Sequence, residues 1–175
     1  MVWLQTSRLS LRRWESTDLD DFCALTSDPM VMRWVGDGSL LSRELTETWI
    51  GKANANIERW GFGTHAVTRR EDGQVVGWAG LIRSEHTPEP DRAEIIYALS
   101  PPCWGQGYAT ELAGGILQWT WRHTALAAVL ATVDPANAAS LAVLAKLGFS
   151  HLLERLDEDG LPESHWLASR PADLV

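Results

Sequence analysis

From Arg8 to Trp14 apolar and polar residues alternate, Leu9 and Leu11 against Ser10 and Arg12, and that two-residue period predicts an N-terminal strand. Thr17 reads as the N-cap of a helix running to about Ser27, with Asp18 and Asp20 suited to the positive end of its dipole, and Asp28-Pro29 stops it. A second helix is predicted over Ser42 to Arg59, where Leu45, Trp49, Ala53 and Ile57 recur every fourth residue. The period then returns to that of strands in Gly63–Arg70, Gln74–Arg83 and Ala93–Leu99, the first two joined by the hairpin turn Glu71-Asp72-Gly73.

After Leu99 a Pro- and Gly-rich loop leads into a helix with Ala109, Leu112, Ala113, Ile116 and Leu117 on one face. A β-branched strand, Ala127–Val133, follows, then a helix from about Asn137 to Leu147 closed by Gly148. Strands near His151–Leu156 and Ser164–Ala168 end the pattern. An antiparallel meander, a βαβ crossover, and a helix with a hairpin add up to an α/β (α+β) layer fold. Its mixed, mostly antiparallel sheet should have six or seven strands flanked by about four helices. No linker or repeat interrupts the 175 residues, a length that suits a single domain over 1–175.

Composition narrows the chemistry. Apolar residues make up 45% and charged residues 22%, ordinary values for a globular protein. Ten tryptophans are many for this length, and their indole N–H groups favour a core edge or a pocket wall over the deep core. A net charge of −8 argues against a nucleic-acid partner and is compatible with a cationic amine drawn into an acidic cleft. Cys23 and Cys103 lack metal or redox spacing, the first residues lack the apolar core of a signal peptide, and no apolar run approaches a membrane span. The expectation is a cytoplasmic protein with reduced thiols, no membrane contact, and a monomeric or homodimeric state.

Two stretches carry candidate chemistry. In Trp104-Gly-Gln-Gly-Tyr-Ala-Thr110, glycines between a strand and a helix let backbone approach a ligand, and the helix's free N–H groups suit a phosphate. In Asp134-Pro-Ala-Asn137-Ala-Ala-Ser140, Asn137 is a good N-cap and Ser140 lies one turn in. Each stretch also has a bland reading, a tight connection and a capped amphipathic helix. Their pairing at the ends of two adjacent parallel strands is where open α/β sheets bind ligands.

Together these residues resemble the GNAT superfamily of acetyltransferases. Its phosphate motif has Gln or Arg, two residues, Gly, one residue, then Gly or Ala. Gly107 and Ala109 match the small positions, while Trp104 stands where Gln or Arg is usual. The stretches PPCWGQGYATE and Asn137, Ser140, Lys146, Gly148, Phe149 look like the branch named for acetylating ribosomal-protein N-termini, the RimJ/RimL-like branch. TSRLSLRRW and DPMVMRWVG are also similar to it, so the resemblance covers nearly the whole chain.

The resemblance implies acetyl-CoA as co-substrate, no metal, and direct attack of a neutral amine on the thioester. The pantetheine arm would lie against Ala98, Leu99 and Ser100, and Asn137 would hydrogen-bond it. The pyrophosphate would sit on amides of Gly105, Gln106, Gly107, Tyr108, Ala109 and Thr110. The position where many members carry a tyrosine acid is Leu144, so Ser140 is the matched proton donor, unless it only bonds back to the preceding turn. Glu94 is the first choice of base, since an apolar strand disfavours a charged carboxylate; the alternative is a Glu facing solvent, with Glu163 and His165 in reserve. Met32, Arg33, Trp34 and Trp60 would wall an acceptor pocket for a small-molecule amine or a peptide N-terminus. Arg33 leaves succinyl transfer open. The rivals are a non-catalytic acyl-CoA sensor of the same fold and a dinucleotide-binding module using Gly105, Gly107 and Asp134, which is weak because the glycines follow an antiparallel meander.

Overall fold

The computed structural model describes residues 2–84 and 86–172. Eight strands form one sheet in the order β1-β2-β3-β4-β5-β6-β8-β7. They are β1 (Val2–Gln5), β2 (Leu9–Arg12), β3 (Thr64–Arg69), β4 (Val75–Ile82), β5 (Arg92–Leu99), β6 (Ala128–Val133), β7 (Ser150–Leu156) and β8 (Pro162–Ser169). Neighbours are antiparallel except β5 and β6. The five α-helices are α1 (Leu19–Thr26), α2 (Pro29–Met32), α3 (Arg43–Trp60), α4 (Tyr108–His123) and α5 (Ala138–Lys146). The mixed α/β architecture is as expected, with one strand and one short helix more. The added strand, β1, is an apolar run without alternation that pairs with β2 across an irregular register.

Side chains alternate across the sheet, so each face has its own core. The larger packs Leu9, Leu11, Leu81, Ile95 and Val129 under Leu112 and Ile116 of α4 and Leu144 of α5. The smaller packs Trp14, Ala66 and Trp78 against Phe22, Val31, Met32 and Ala53 of α1–α3. Strands β4 and β5 approach so closely that a Cβ on Gly77 would lie 2.1 Å from the Ala98 carbonyl oxygen, which requires glycine there.

Local chemistry revises two expectations about helices. Thr17 does not cap α1. A 3-10 turn, Ser16–Asp18, precedes that helix, and the buried Asp18 carboxylate accepts two bonds from Arg12, at 2.6 and 2.8 Å, and one from the Glu15 N–H at 2.8 Å. In α3, capped by Ser42 accepting from the Leu45 N–H at 3.3 Å, Leu45 is exposed and Thr46 takes the inward position. Thr46 is buried because its hydroxyl is satisfied twice, by the Ser42 carbonyl at 3.0 Å and by Thr26 at 2.8 Å.

Candidate active site

The parallel ladder between β5 and β6 holds only at Arg92–Ala128, Ala93–Val129 and Glu94–Leu130. Beyond Glu94 the strands part, and a cleft of about 870 Å³ opens there, lined from both faces of the sheet. Glu94 and Tyr97, three residues apart, project to opposite faces of β5. The slot therefore joins a side bounded by α4 and α5 to a side bounded by Val31, Trp34, Trp49, Trp78 and Ile82. Trp34, Trp49, Trp78 and Trp104 all line it, as the indole chemistry suggested.

On the α4 side, Gly105 and Gly107 hold φ of +71° and +77°, a conformation that favours glycine, and they deliver the chain into α4. Helices α3 and α5 have side-chain caps, whereas no side chain caps α4, so the N–H groups of Tyr108, Ala109 and Thr110 face the cleft without intrahelical partners. Behind this loop stands Arg8, which the sequence did not single out. Its guanidinium donates to the Gln106 carbonyl at 2.9 Å and to Glu111 at 2.6 Å, and lies 4.1 Å above the Tyr108 ring. Burial alone would raise the Glu111 pKa, but hydrogen bonds from Thr6 and Arg8 outweigh it and hold the group below the usual carboxylate range.

The free edge of β5 carries fewer of the expected contacts. The Ser100 N–H donates to Val76 in β4 at 2.8 Å, so by antiparallel alternation Ala98 and Ser100 face β4 while Tyr97 and Leu99 face the opening. The Leu99 carbonyl accepts from the Trp104 indole at 2.7 Å, and Trp104 thereby ties the end of β5 to the glycine loop, a structural role. Ser100 and Gln106 do not line the cleft.

Asn137 caps α5 by accepting from the Ser140 N–H at 3.1 Å, which leaves its amide NH2 free for a ligand. Ser140 lines the cleft, and its hydroxyl makes no bond back to the preceding turn among the described residues. Leu144 is wholly buried.

On the other side, Glu94 is 6% exposed rather than in solvent, and among the described residues no group bonds its carboxylate. Arg33 and Trp34 line this half, the guanidinium 4.7 Å above the indole. Two expected wall residues lie elsewhere. Met32 is 1% exposed in the smaller core, and Trp60 packs with Arg59 and Arg83 outside the cleft.

Glu163 reaches the cleft rim from β8, where His165 donates to it at 2.9 Å and Arg155 at 3.1 Å. Burial would raise its pKa, but those bonds and the nearby His86 hold it low. His86, Glu163 and His165 bring three ligand-type atoms within 4.8 Å of one another, a convergence invisible in their spacing along the chain. Arg155, able only to donate, approaches His86 Nδ1 at 2.8 Å, so the proton of a neutral His86 is on Nε2, 3.5 Å from Glu163. That arrangement is an ion-pair and hydrogen-bond network at the cleft rim.

Residues 8–150 match the acetyltransferase (GNAT) domain family, and the chain belongs to that family. It is 31% identical over 157 residues to the FsC-acetyl coenzyme A-N(2)-transacetylase of Aspergillus fumigatus, covering 85% of this chain and 65% of that protein. A GNAT-family acetyltransferase from Bacillus anthracis superposes with a TM-score of 0.83 at 21% identity, over 97% of this chain and 99% of that one. The ribosomal L7/L12 alpha-N-protein acetyltransferase RimL, solved with coenzyme A, superposes with a TM-score of 0.80 at 15% identity, over 97% and 98%, and so shares the fold. The chain is thus an acetyl-CoA-dependent acyltransferase. Among the described residues, no helix is long and apolar enough to cross a membrane.

Proposed function

We propose that this domain transfers the acetyl group of acetyl-CoA to a primary amine by direct attack within the slot between β5 and β6. The observation that carries this reading is the parting of those strands beyond Glu94 and Leu130 beside the uncapped start of α4. Uncapped amides after Gly107 suit a pyrophosphate, the Asn137 amide suits the pantetheine arm, and the backbone of Tyr97 with the N–H of Leu99, both turned away from β4, offers a strand edge to its peptide-like groups.

The acceptor enters from the Trp34, Trp49 and Trp78 face, where Glu94 takes the proton that the amine nitrogen sheds. As the nitrogen–carbon bond forms, the carbon–sulfur bond breaks and its electron pair leaves on sulfur, where Ser140 supplies a hydrogen and is reprotonated from water. Bound acetyl-CoA supplies the activated acyl carbon. The acceptor is a small-molecule amine rather than a protein surface, a reading favoured by the aromatic walls, the carboxylates Glu94 and Glu163, and the chain's charge of −8. The name of the Aspergillus relative denotes transfer to an N(2) position of an acceptor called FsC, in line with an amine nitrogen.

Thermal shift with acetyl-CoA, CoA, NAD and ATP is the first test. A ligand at a hundredfold its Kd stabilises by about 2.7 kcal/mol, and only the CoA species should do so. Thiol release is then screened over small amines and N-terminal peptides with acetyl-CoA and succinyl-CoA. Binding without thiol release from any acceptor would make the protein a sensor, and a stronger response with succinyl-CoA would assign Arg33 to a second carboxylate.

A further inference from the structure

Strands β3, β4 and β5 turn Thr64, Trp78, Ile82 and Ile96 to the face covered by α1–α3, the face that also carries Glu94. In register these four residues surround Gly80. Thr64 and Ile96 are its partners on either side, and Trp78 and Ile82 lie two positions away along β4. Gly80 brings no side chain to fill the space between them, and none is allowed, since a Cβ there would lie 1.9 Å from the Gly63 carbonyl oxygen. A cavity of about 170 Å³ is lined by the same four residues.

The remaining walls are mostly aromatic. Trp49 and Ala53 reach the cavity from α3, and Trp14 and Phe22 complete it. Trp14 stacks on Phe22 with centroids 4.2 Å apart, and Phe22 meets Trp78 edge-on at 5.3 Å, so these three rings fix one another. The exposed Lys52 and Asn56 mark the mouth. Trp49, Trp78, Ile82 and Ile96 also line the slot between β5 and β6, so the cavity adjoins its acceptor half. Protein interiors leave few voids larger than a water, and an apolar hollow of this size is one that can hold a benzene ring.

We propose that this cavity receives the aromatic ring of the acceptor, a primary amine carrying an aryl group on a short alkyl chain. Walls of fixed indole and phenyl rings favour a planar ring through stacked and edge-on contacts. The register sets the length of the molecule. Ile82 is the cross-strand partner of Glu94, and Glu94 stands two residues before Ile96, about 7 Å along β5. A chain of about two or three carbons therefore carries the nitrogen from a ring in the cavity to the Glu94 carboxylate. Charge sets the direction: an ammonium is repelled by Lys52 at the mouth and attracted by Glu94 in the slot. That this nitrogen accepts the acetyl group rests on the acetyl-transfer reading, whereas the ring site does not.

The test compares 2-phenylethylamine with n-butylamine, which lacks the ring. Calorimetric titration in the presence of CoA should give a Kd for 2-phenylethylamine roughly tenfold or more below that for n-butylamine, the effect of burying one phenyl ring. Equal affinities would overturn the ring site. Ala53→Leu from the helix wall and Thr64→Leu from the sheet wall each fill the cavity, and a variant with the wild-type circular dichroism spectrum should lose the preference. A folded variant that keeps it would overturn the assignment to this cavity. In turnover with acetyl-CoA, kcat/KM should favour 2-phenylethylamine by a similar factor in wild type and not in the filled variants. Thiol release that treats both amines alike would overturn the ring site and leave the acetyl-transfer reading standing. Ring-dependent binding without thiol release from any amine would overturn acetyl transfer, and the acceptor role with it, while upholding the cavity as a site for an aryl-bearing ammonium.

Discussion

Arg8 and Glu111 lie 103 positions apart in the chain and meet at 2.6 Å, joining the turn between β1 and β2 to the first turn of α4. The contact is two-sided. Glu111 also accepts from the Arg8 N–H at 2.7 Å and from the Thr6 hydroxyl at 2.6 Å, while Arg8 reaches on to the Gln106 carbonyl. The glycine loop is thereby held from behind by the edge of the sheet. Because Arg8 is 43% exposed, the ion pair contributes little to global stability, about 1 kcal/mol or less. Its effect should fall on the loop. Glu111→Ala is expected to weaken CoA binding by roughly tenfold, about 1.4 kcal/mol, with Tm nearly unchanged, as read by calorimetric titration. Unaltered affinity would mean the loop keeps its shape unaided.

Gly107 is the N-cap of α4 with φ of +77°, and the nearest atom to a Cβ placed there is an Arg8 nitrogen at 3.7 Å. Space is therefore not the constraint, but conformation is. Gly107→Val should abolish CoA binding because the β-branched residue refuses this φ and re-aims the α4 amides, while the core under α4 keeps the fold. The thermal shift with CoA should vanish, and a normal shift would place the diphosphate elsewhere.

Asn137 caps α5 through Oδ1, and on the proposed reading its Nδ2 serves the pantetheine arm. Asn137→Asp preserves the cap and removes the donor, so CoA affinity should fall with Tm held. Asn137→Ala should lose both, with about 1 kcal/mol of helix stability gone as well. Equal CoA affinity in wild type and Asn137→Asp would confine Asn137 to capping.

Glu94→Gln should reduce kcat by roughly a hundredfold near neutral pH, the effect of removing one acid–base group. The deficit should shrink as pH rises towards the pKa of the acceptor, since more amine then arrives already neutral. A pH-independent deficit would assign Glu94 to binding instead of proton transfer.

His65 is 1% exposed, stacked on Trp3 at 4.2 Å, with Nδ1 on the Gly63 carbonyl at 3.0 Å and Nε2 buried without a partner. Burial lowers its pKa from 6.5 to about 4. The folded state therefore keeps the ring neutral while the unfolded chain takes a proton below pH 6.5. The stability present above that pH should decline as pH falls to about 4, by about 3 kcal/mol in all. Urea titrations between pH 7.5 and 4.5 should show a flatter decline for His65→Phe than for wild type, and parallel declines would remove His65 as the cause.

Features set by local backbone chemistry were legible in the sequence. Gly107 and Asn137 each announce a conformational or capping need within a few residues, and both stand where expected. Glu94 was legible because a carboxylate between Ala93 and Ile95 contradicts its strand, and it proves buried. Arg8 was not, since only the topology of the sheet brings it to α4. Met32 and Trp60 show the reverse error. Both are expected in the acceptor wall, yet packing with Phe22 and Ala53 in the smaller core draws Met32 inward, and two arginines hold Trp60 outside. A bulky side chain near a site carries no mark of which way it will turn.

The slot between β5 and β6 divides labour between two kinds of scaffold. On the proposed reading the donor half is made of the central strands, α4 and α5, which are also where the larger core is packed. The acceptor half would then take its rim from the segment around Arg33 to Asp37 and from Asp157 to Glu163, the β7–β8 connection and the start of β8. Apart from Val35, which packs on the smaller core, and Glu163, held by His165 and Arg155, substitutions along that rim would leave both cores undisturbed, so acceptor preference could change while donor recognition, tied to the larger core, stays in place.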